Sequence, residues 1–216
     1  MTLDSAIMSY DERDAAMDEF YDQISRELYP DHKQQAIEEF TAERLRSFYI
    51  QHPNVMRPAV EAIQEAKALL VAQRYSPALV FSASAFELLL KATLLRPVVY
   101  GLVHHDALAE LLVQRVVGRQ TDISRYESLL ARLFEELAEV NLRAICREGM
   151  TTPLMKEATE LQGLRDRILH QGAHCTCEEA ERAFQVAVSI YEDIVIPMIG
   201  ALQLRVREKG VIAPAV

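Results

Sequence analysis

Arg165 and His170 are the residues of this sequence whose types and spacing best suit chemistry. They lie in the segment LRDRILHQG, just ahead of Gly172. Arginine is a permanent cation suited to a phosphate, and histidine exchanges protons near neutral pH. A plainer interpretation stays open, because an Arg and a His at a helix end commonly interact only with its dipole and terminal carbonyls.

Signatures of the common enzyme classes are absent from the sequence. There is no phosphate-binding Gly-rich loop, no GxSxG, no HExxH and no CxxC. The segment His174-Cys175-Thr176-Cys177 contains metal-ligating residue types, but tetrahedral zinc sites usually draw four ligands at wider spacing. The sequence therefore predicts neither a metal nor a cofactor.

The spacing of Arg165 and His170 also bears on assembly. Residues five apart lie about 140° apart around a regular helix, so one chain's pair does not face a single small target well. A two-fold dimer that joins both copies of this helix end would form a composite cleft with two Arg and two His. We therefore expect a homodimer.

Amphipathic and apolar segments, separated by Pro and Gly, predict helices throughout the chain and no strand. The expected helices cover about 3–28, 31–51, 58–74, 77–97, 104–117, 121–140, 152–171 and 176–207. Helix-end signals are Ser76, Gly172, the pair Thr176 and Glu179, and Pro197, which should kink the last helix. The predicted fold is an all-α antiparallel helical bundle with an N-terminal helical extension.

The helix over 77–97 is apolar on nearly every face, which predicts a position at the centre of the bundle or at a subunit interface. Glu87 and Lys91 are charged residues within it, four positions apart. They could form an intrahelical ion pair at the edge of the core. Alternatively, Glu87 could face Arg165 across the bundle and orient it, since a charge in so apolar a helix requires a partner.

The pattern of Arg165, polar Asp166, three variable residues and His170 resembles the RxxxxH signature of HEPN domains. An apolar helix with an embedded Glu before the motif, and a long capped helix after it, fit the same resemblance. It covers roughly residues 58–197. HEPN proteins are typically dimers, and many are metal-independent ribonucleases or toxins of defence and toxin-antitoxin systems.

The resemblance implies roles for particular residues of this chain. Arg165 would hold the scissile phosphate, and His170 would act as general acid or base, leaving a 2′,3′-cyclic phosphate. Asp166 would orient one of these two. Arg167, Glu87 and Lys91 would bind substrate or orient the catalytic groups. Some HEPN toxins carry a Tyr two residues after the His; here that residue is Gly172, which argues against regulation by nucleotide attachment there.

Composition and charge limit the class of protein and the location that we expect. The 216 residues are half hydrophobic and a quarter charged, which is typical of a globular protein. We divide the chain into an acidic helical extension, 1–57, and an HEPN-like bundle, 58–216. The start of the chain resembles no secretory signal, an odd count of three cysteines favours a reducing compartment, and no apolar run is long enough to span a bilayer. We expect a cytoplasmic protein.

Two functions remain in competition at this point. The first is an RNA endonuclease with Arg165 and His170 at its active site, with or without a cognate antitoxin. The second is a non-catalytic helical module that dimerises and recruits a protein partner or a nucleotide. The formal net charge of −9 favours the second, because RNA binding usually needs a basic surface. The acidic N-terminal helices would be a solvated face, an RNA mimic or a docking surface.

Overall fold

The computed structural model describes residues 32–102 and 141–215, and also the isolated helical residues Met17, Ala131, Glu135 and Ala138. The predicted helices over 3–28 and 104–117, and most of the one over 121–140, lie outside these residues. The chain divides into two compact units, Met1–Phe40 and Thr41–Val216. Residues 41–57, which we had placed in the extension, thus belong to the larger unit, because Leu45, Phe48 and Tyr49 are buried in its core.

The described chain is mostly helical, as predicted. Helix α1 is His32–Gln51, α2 is Arg57–Val71, and α3 is Tyr75–Leu88, which continues through a π-helical segment, Leu89–Leu95, into α4, Arg96–Leu102. Helix α5 is Leu154–Gln171, and α6 is Cys177–Ser189, which continues through a second π-helical segment, Ile190–Val195, into α7, Ile196–Ala201.

Helix α3 occupies the centre of the larger unit. It packs against α2, α5 and α6, and Phe86 of α3 is fully buried, as are Leu89, Leu90 and Leu94 of its continuation. The predicted central position of this apolar segment is confirmed. Because α3 contacts α5, a polar side chain on its α5-facing side can reach the segment that carries Arg165 and His170.

Three helix-end predictions can be compared with the structure. Gly172 ends α5 with a left-handed φ of 67°, and Thr176 forms a reciprocal capping box with Glu179 at the start of α6. Both are confirmed. The prediction that Ser76 caps the long helix is wrong: α3 begins at Tyr75, and the Ser76 hydroxyl accepts a hydrogen bond from the backbone N–H of Cys175, at 3.2 Å.

The predicted last helix is too long, and the prediction of no strand is wrong. Helix α7 ends at Ala201, and strands β1, Leu204–Val206, and β2, Ile212–Pro214, pair antiparallel. Gln203 adopts a left-handed φ of 55°, which breaks the helix, and Ile212 donates its backbone N–H to Pro53 O at 2.8 Å. The hairpin is thus fixed by contact with the loop between α1 and α2. Pro197 is the second residue of α7, two positions after the end of the π-helical segment at Val195.

Two described segments, Tyr75–Tyr100 and Cys177–Ala201, are long and apolar enough to cross a membrane by length and composition alone. A core helix meets the same criterion, and 67% of the most apolar part of the first segment is buried inside the fold. The expectation that no helix spans a membrane stays a prediction.

Candidate functional site

Helix α5 presents Arg165 at the boundary between the core and the surface. Leu161 and Leu164 are buried on its inner face, and Arg165, next along the chain, is partly buried. Asp166, Arg167 and His170 are exposed. This distribution follows from the helical period, since residues three and four apart share a face. The predicted site therefore has a half-buried arginine beside an exposed polar helix end.

Glu87 joins the two helices of the site. Its Oε1 accepts a hydrogen bond from Lys91 Nζ at 2.6 Å, and its Oε2 lies 3.7 Å from Arg165 Nη1. The Glu87 side chain is 23% exposed, Arg165 21% and Lys91 11%. The two geometries that we considered for Glu87 therefore occur together: it pairs with Lys91 on its own helix and contacts Arg165 on α5.

The guanidinium of Arg165 has a second carboxylate neighbour and a buried donor without a partner. Its Nη1 lies 3.4 Å from Asp166 Oδ1, and its Nε is buried without a hydrogen-bond partner. A buried donor left unpaired costs about 1–3 kcal/mol. Two carboxylates therefore lie near the guanidinium, and among the described residues part of its hydrogen-bonding capacity is unused.

His170 lies in the last turn of α5, apart from this cluster. It is exposed, and no described side chain forms a hydrogen bond or an ion pair with it. Leu169 beside it leaves 49% of its surface exposed. The structure thus brings together Arg165, Glu87, Lys91 and Asp166 and leaves Arg167 and His170 on the outer surface of the same helix.

The charge of this helix end is nearly balanced. Around Arg165, the side chains of Lys91, Arg165 and Arg167 are cationic and those of Glu87 and Asp166 are anionic. Positive charge at the last turn of a helix is favoured by the helix dipole. The site is chemically suited to bind one phosphate group and to exchange a proton, but it is not a broad basic surface.

A second ionic cluster, which we did not predict, lies at the other end of α5. Arg147 donates from Nε to Glu157 Oε1 at 3.0 Å and from Nη2 to Glu157 Oε2 at 2.7 Å. Arg182 Nε donates to the same Oε2 at 2.9 Å, and Gln185 accepts from Arg147 Nη1 at 2.8 Å. Glu157 is 2% exposed, so this is a buried, fully bonded carboxylate.

The pKa of Glu157 reflects two opposing effects. Burial alone raises the pKa of this carboxyl, but hydrogen bonds and charge from Arg147 and Arg182 outweigh it and hold the pKa below the ordinary value of 4.5. A sequence signal for the cluster did exist: Glu157 falls on the apolar face of α5, between Leu154 and Leu161. A carboxylate there requires a buried partner.

Cys175 and Cys177 each contact a residue outside the segment 174–177. Burial raises the pKa of the Cys175 thiol, and Cys177 Sγ lies 3.5 Å from Glu181 Oε1. Within the described ranges, no group of three or more His, Cys, Asp or Glu is placed to hold a metal ion.

Comparisons of the whole chain with protein-family models, with curated proteins and with solved structures found no match.

Proposed function

We propose that this chain is a metal-independent RNA endonuclease of HEPN type that acts as a homodimer in the cytoplasm, as part of a toxin or defence system. The observation that carries the proposal is the Glu87 bridge, which pairs Arg165 with a carboxylate of α3 on the helix whose exposed end bears His170. An arginine held in one orientation is pre-organised for a phosphate oxygen. From the same resemblance, we propose that the described helices form an HEPN-like bundle.

The proposed reaction is a transesterification within RNA. The ribose 2′-oxygen attacks the adjacent phosphorus, the bond to the 5′-oxygen breaks, and the product is a 2′,3′-cyclic phosphate with a free 5′-hydroxyl. Arg165 binds the phosphate and stabilises its added negative charge, and His170 transfers the proton that moves between the two oxygens. Asp166, Glu87 and Lys91 position Arg165, and Arg167 binds the RNA backbone.

The direct test uses the purified full chain with labelled single-stranded and structured RNA in the presence of a chelator. We expect cleavage at the wild-type rate from the matched control Lys156→Ala, since Lys156 is an exposed cation at the other end of α5. If no RNA is cut while the protein is dimeric, the enzyme proposal is wrong.

We also propose that the active site is shared between two chains. The reason is that His170 and the Arg165 cluster lie on different parts of α5, as expected for residues five positions apart. A dimer of one Arg165→Ala chain and one His170→Ala chain keeps one intact Arg and one intact His on different chains. Mixed dimers should therefore regain part of the activity that each variant dimer lacks. Chain exchange without any recovery would contradict a shared site.

Glu87 is expected to act as a positioning residue. Glu87→Gln removes the charge that holds Arg165 at 3.7 Å and Lys91 at 2.6 Å, so we expect RNA cleavage to slow by about tenfold to a hundredfold. The matched control is Glu61→Gln, which removes a surface carboxylate paired with Arg57 at 2.8 Å in the same i,i+4 geometry. Equal rates for the two variants, measured in single turnover, would exclude the positioning role.

A non-catalytic binding module is the second candidate, and a specific observation favours it. The two carboxylates near Arg165 compete with a phosphate for its guanidinium, and the whole chain carries a net charge of −9. In that case the same helix end would recruit a protein partner such as a cognate antitoxin. A dimer that cuts no RNA but binds a partner, with binding lost in Arg165→Ala, would support this function.

A further inference from the structure

A cleft of about 350 Å³ lies between the end of α1, the loop that follows it, and the start of α4. It is lined by Phe48, Gln51, His52, Pro53, Asn54, Val55, Arg96 and Tyr100. This volume is at the lower end of the range for small-molecule sites, so the cleft suits a small ligand. It involves none of the residues proposed for RNA cleavage.

Three rings form one side of the cleft. The ring centroid of Phe48 lies 4.5 Å from that of His52 and 5.4 Å from that of Tyr100. The guanidinium carbon of Arg96 lies 5.6 Å from the centroid of the Tyr100 ring. Phe48 is buried beneath the other two, so the exposed ring of His52, the half-buried ring of Tyr100 and the Arg96 guanidinium are the groups on which a flat ring can stack.

Arg96 has no counter-ion within the part of the chain that the structure describes. It is partly buried, it forms no ion pair with another described residue, and its Nε is buried without a hydrogen-bond partner. Arg147 and Arg165, by contrast, each pair with a carboxylate. A partly buried cation without a counter-ion is unfavourable, and an anionic group of a ligand would relieve that cost.

The walls of the cleft are fixed by hydrogen bonds. The Tyr49 hydroxyl donates to Thr93 O at 2.6 Å, which ties α1 to the π-helical segment just before Arg96. The backbone N–H of Ile212 donates to Pro53 O at 2.8 Å, which holds the loop below His52. π-Helical segments occur frequently at functional sites. The cleft is thus pre-formed, which lowers the entropic cost of binding.

We propose that this cleft binds a small planar aromatic anion, with its ring stacked against His52 and Tyr100 and its anionic group on Arg96. Two kinds of molecule share this chemistry: a nucleoside monophosphate and an aromatic carboxylate. Both offer a flat ring and oxygen atoms that can accept two parallel N–H donors from a guanidinium.

Titration calorimetry on the full chain tests the proposal and distinguishes the two sources. One arm uses AMP and UMP, the other uses indole-3-acetate and phenylpyruvate, and inorganic phosphate and adenosine serve as the separate halves of a ligand. We expect members of one arm to bind at least about tenfold more tightly than either half, because ring and anion contribute together. If neither arm binds, or if phosphate alone binds as well, the proposal is wrong.

Arg96→Met keeps the length of the side chain and removes its charge. We expect it to weaken binding by about tenfold to a hundredfold, the effect of losing hydrogen bonds to a charged group. Arg205→Met, which changes an exposed arginine in β1, is the control and should bind as the wild type does. His52→Ala, at an exposed position, provides a second variant if Arg96→Met melts early. Unchanged affinity in a folded Arg96→Met or His52→Ala protein would overturn the proposal.

Discussion

Replacing Glu157 with alanine should lower the free energy of unfolding by about 3–5 kcal/mol. The carboxylate accepts hydrogen bonds from Arg147 and Arg182, and its removal would leave the 8%-exposed Arg147 guanidinium without its anion. Breaking a buried ion pair from one side costs more than the pair itself contributes, because the remaining charge stays desolvated. Urea denaturation followed by circular dichroism measures the difference.

Glu160 provides the matched control for this substitution. It accepts a hydrogen bond from the same Arg182, at 2.7 Å, but its side chain is 48% exposed. Exposed ion pairs contribute about 0–1 kcal/mol, so Glu160→Ala should change stability by no more than that. Similar losses for the two variants would show that the buried cluster is not what stabilises this end of the bundle.

The same cluster should make stability depend on pH. Because the folded-state pKa of Glu157 lies below 4.5, its contribution is fully present above the unfolded pKa and declines as pH falls through the folded value. Urea midpoints should therefore fall more steeply in acid for the wild type than for Glu157→Gln. Parallel pH profiles for the two proteins would contradict this assignment.

Replacing either Arg165 or His170 with alanine should lower the rate of RNA cleavage by about 10²–10³-fold. Arg165→Ala removes the cation that we propose binds the phosphate, and His170→Ala removes the group that we propose transfers the proton. His170 is exposed, so its substitution should leave the melting temperature nearly unchanged. Single-turnover rates with labelled RNA and a chelator give both values.

The control for both variants is Lys156→Ala, an exposed change on the same helix. It should cleave RNA at the wild-type rate. Activity retained by a folded and dimeric His170→Ala protein would remove His170 from the mechanism, and the same result for Arg165→Ala would remove the arginine.

Local signals made the helix ends around the candidate site predictable. Gly172 and the pair Thr176 and Glu179 act through bonds within a few residues, so their positions could be inferred from the sequence. Ser76 failed as a predicted cap because its hydroxyl bonds Cys175, far away in the chain. The two strands were not predicted for a similar reason. Each has only three residues, and the backbone N–H of Ile212 donates to Pro53 O, far away in the chain.

The candidate site was predictable in composition but not in arrangement. Residue types and spacing pointed to Arg165 and His170, and a charge in an apolar helix pointed to a partner for Glu87. The sequence alone could not decide whether that partner was Lys91 or Arg165, and the structure pairs Glu87 with both. The burial of Arg147 could not be predicted, because Arg147 lies in irregular structure, where no periodic pattern indicates burial.

The most direct measurement of the central claim is the chemistry of the RNA ends found after RNA is incubated with the purified protein in the presence of a chelator. An Arg165 and His170 site of the proposed kind predicts fragments with 2′,3′-cyclic phosphate and 5′-hydroxyl ends, formed without metal and absent from the His170→Ala reaction. Fragments with 3′-hydroxyl ends, cleavage that stops when metal is removed, or intact RNA would contradict it.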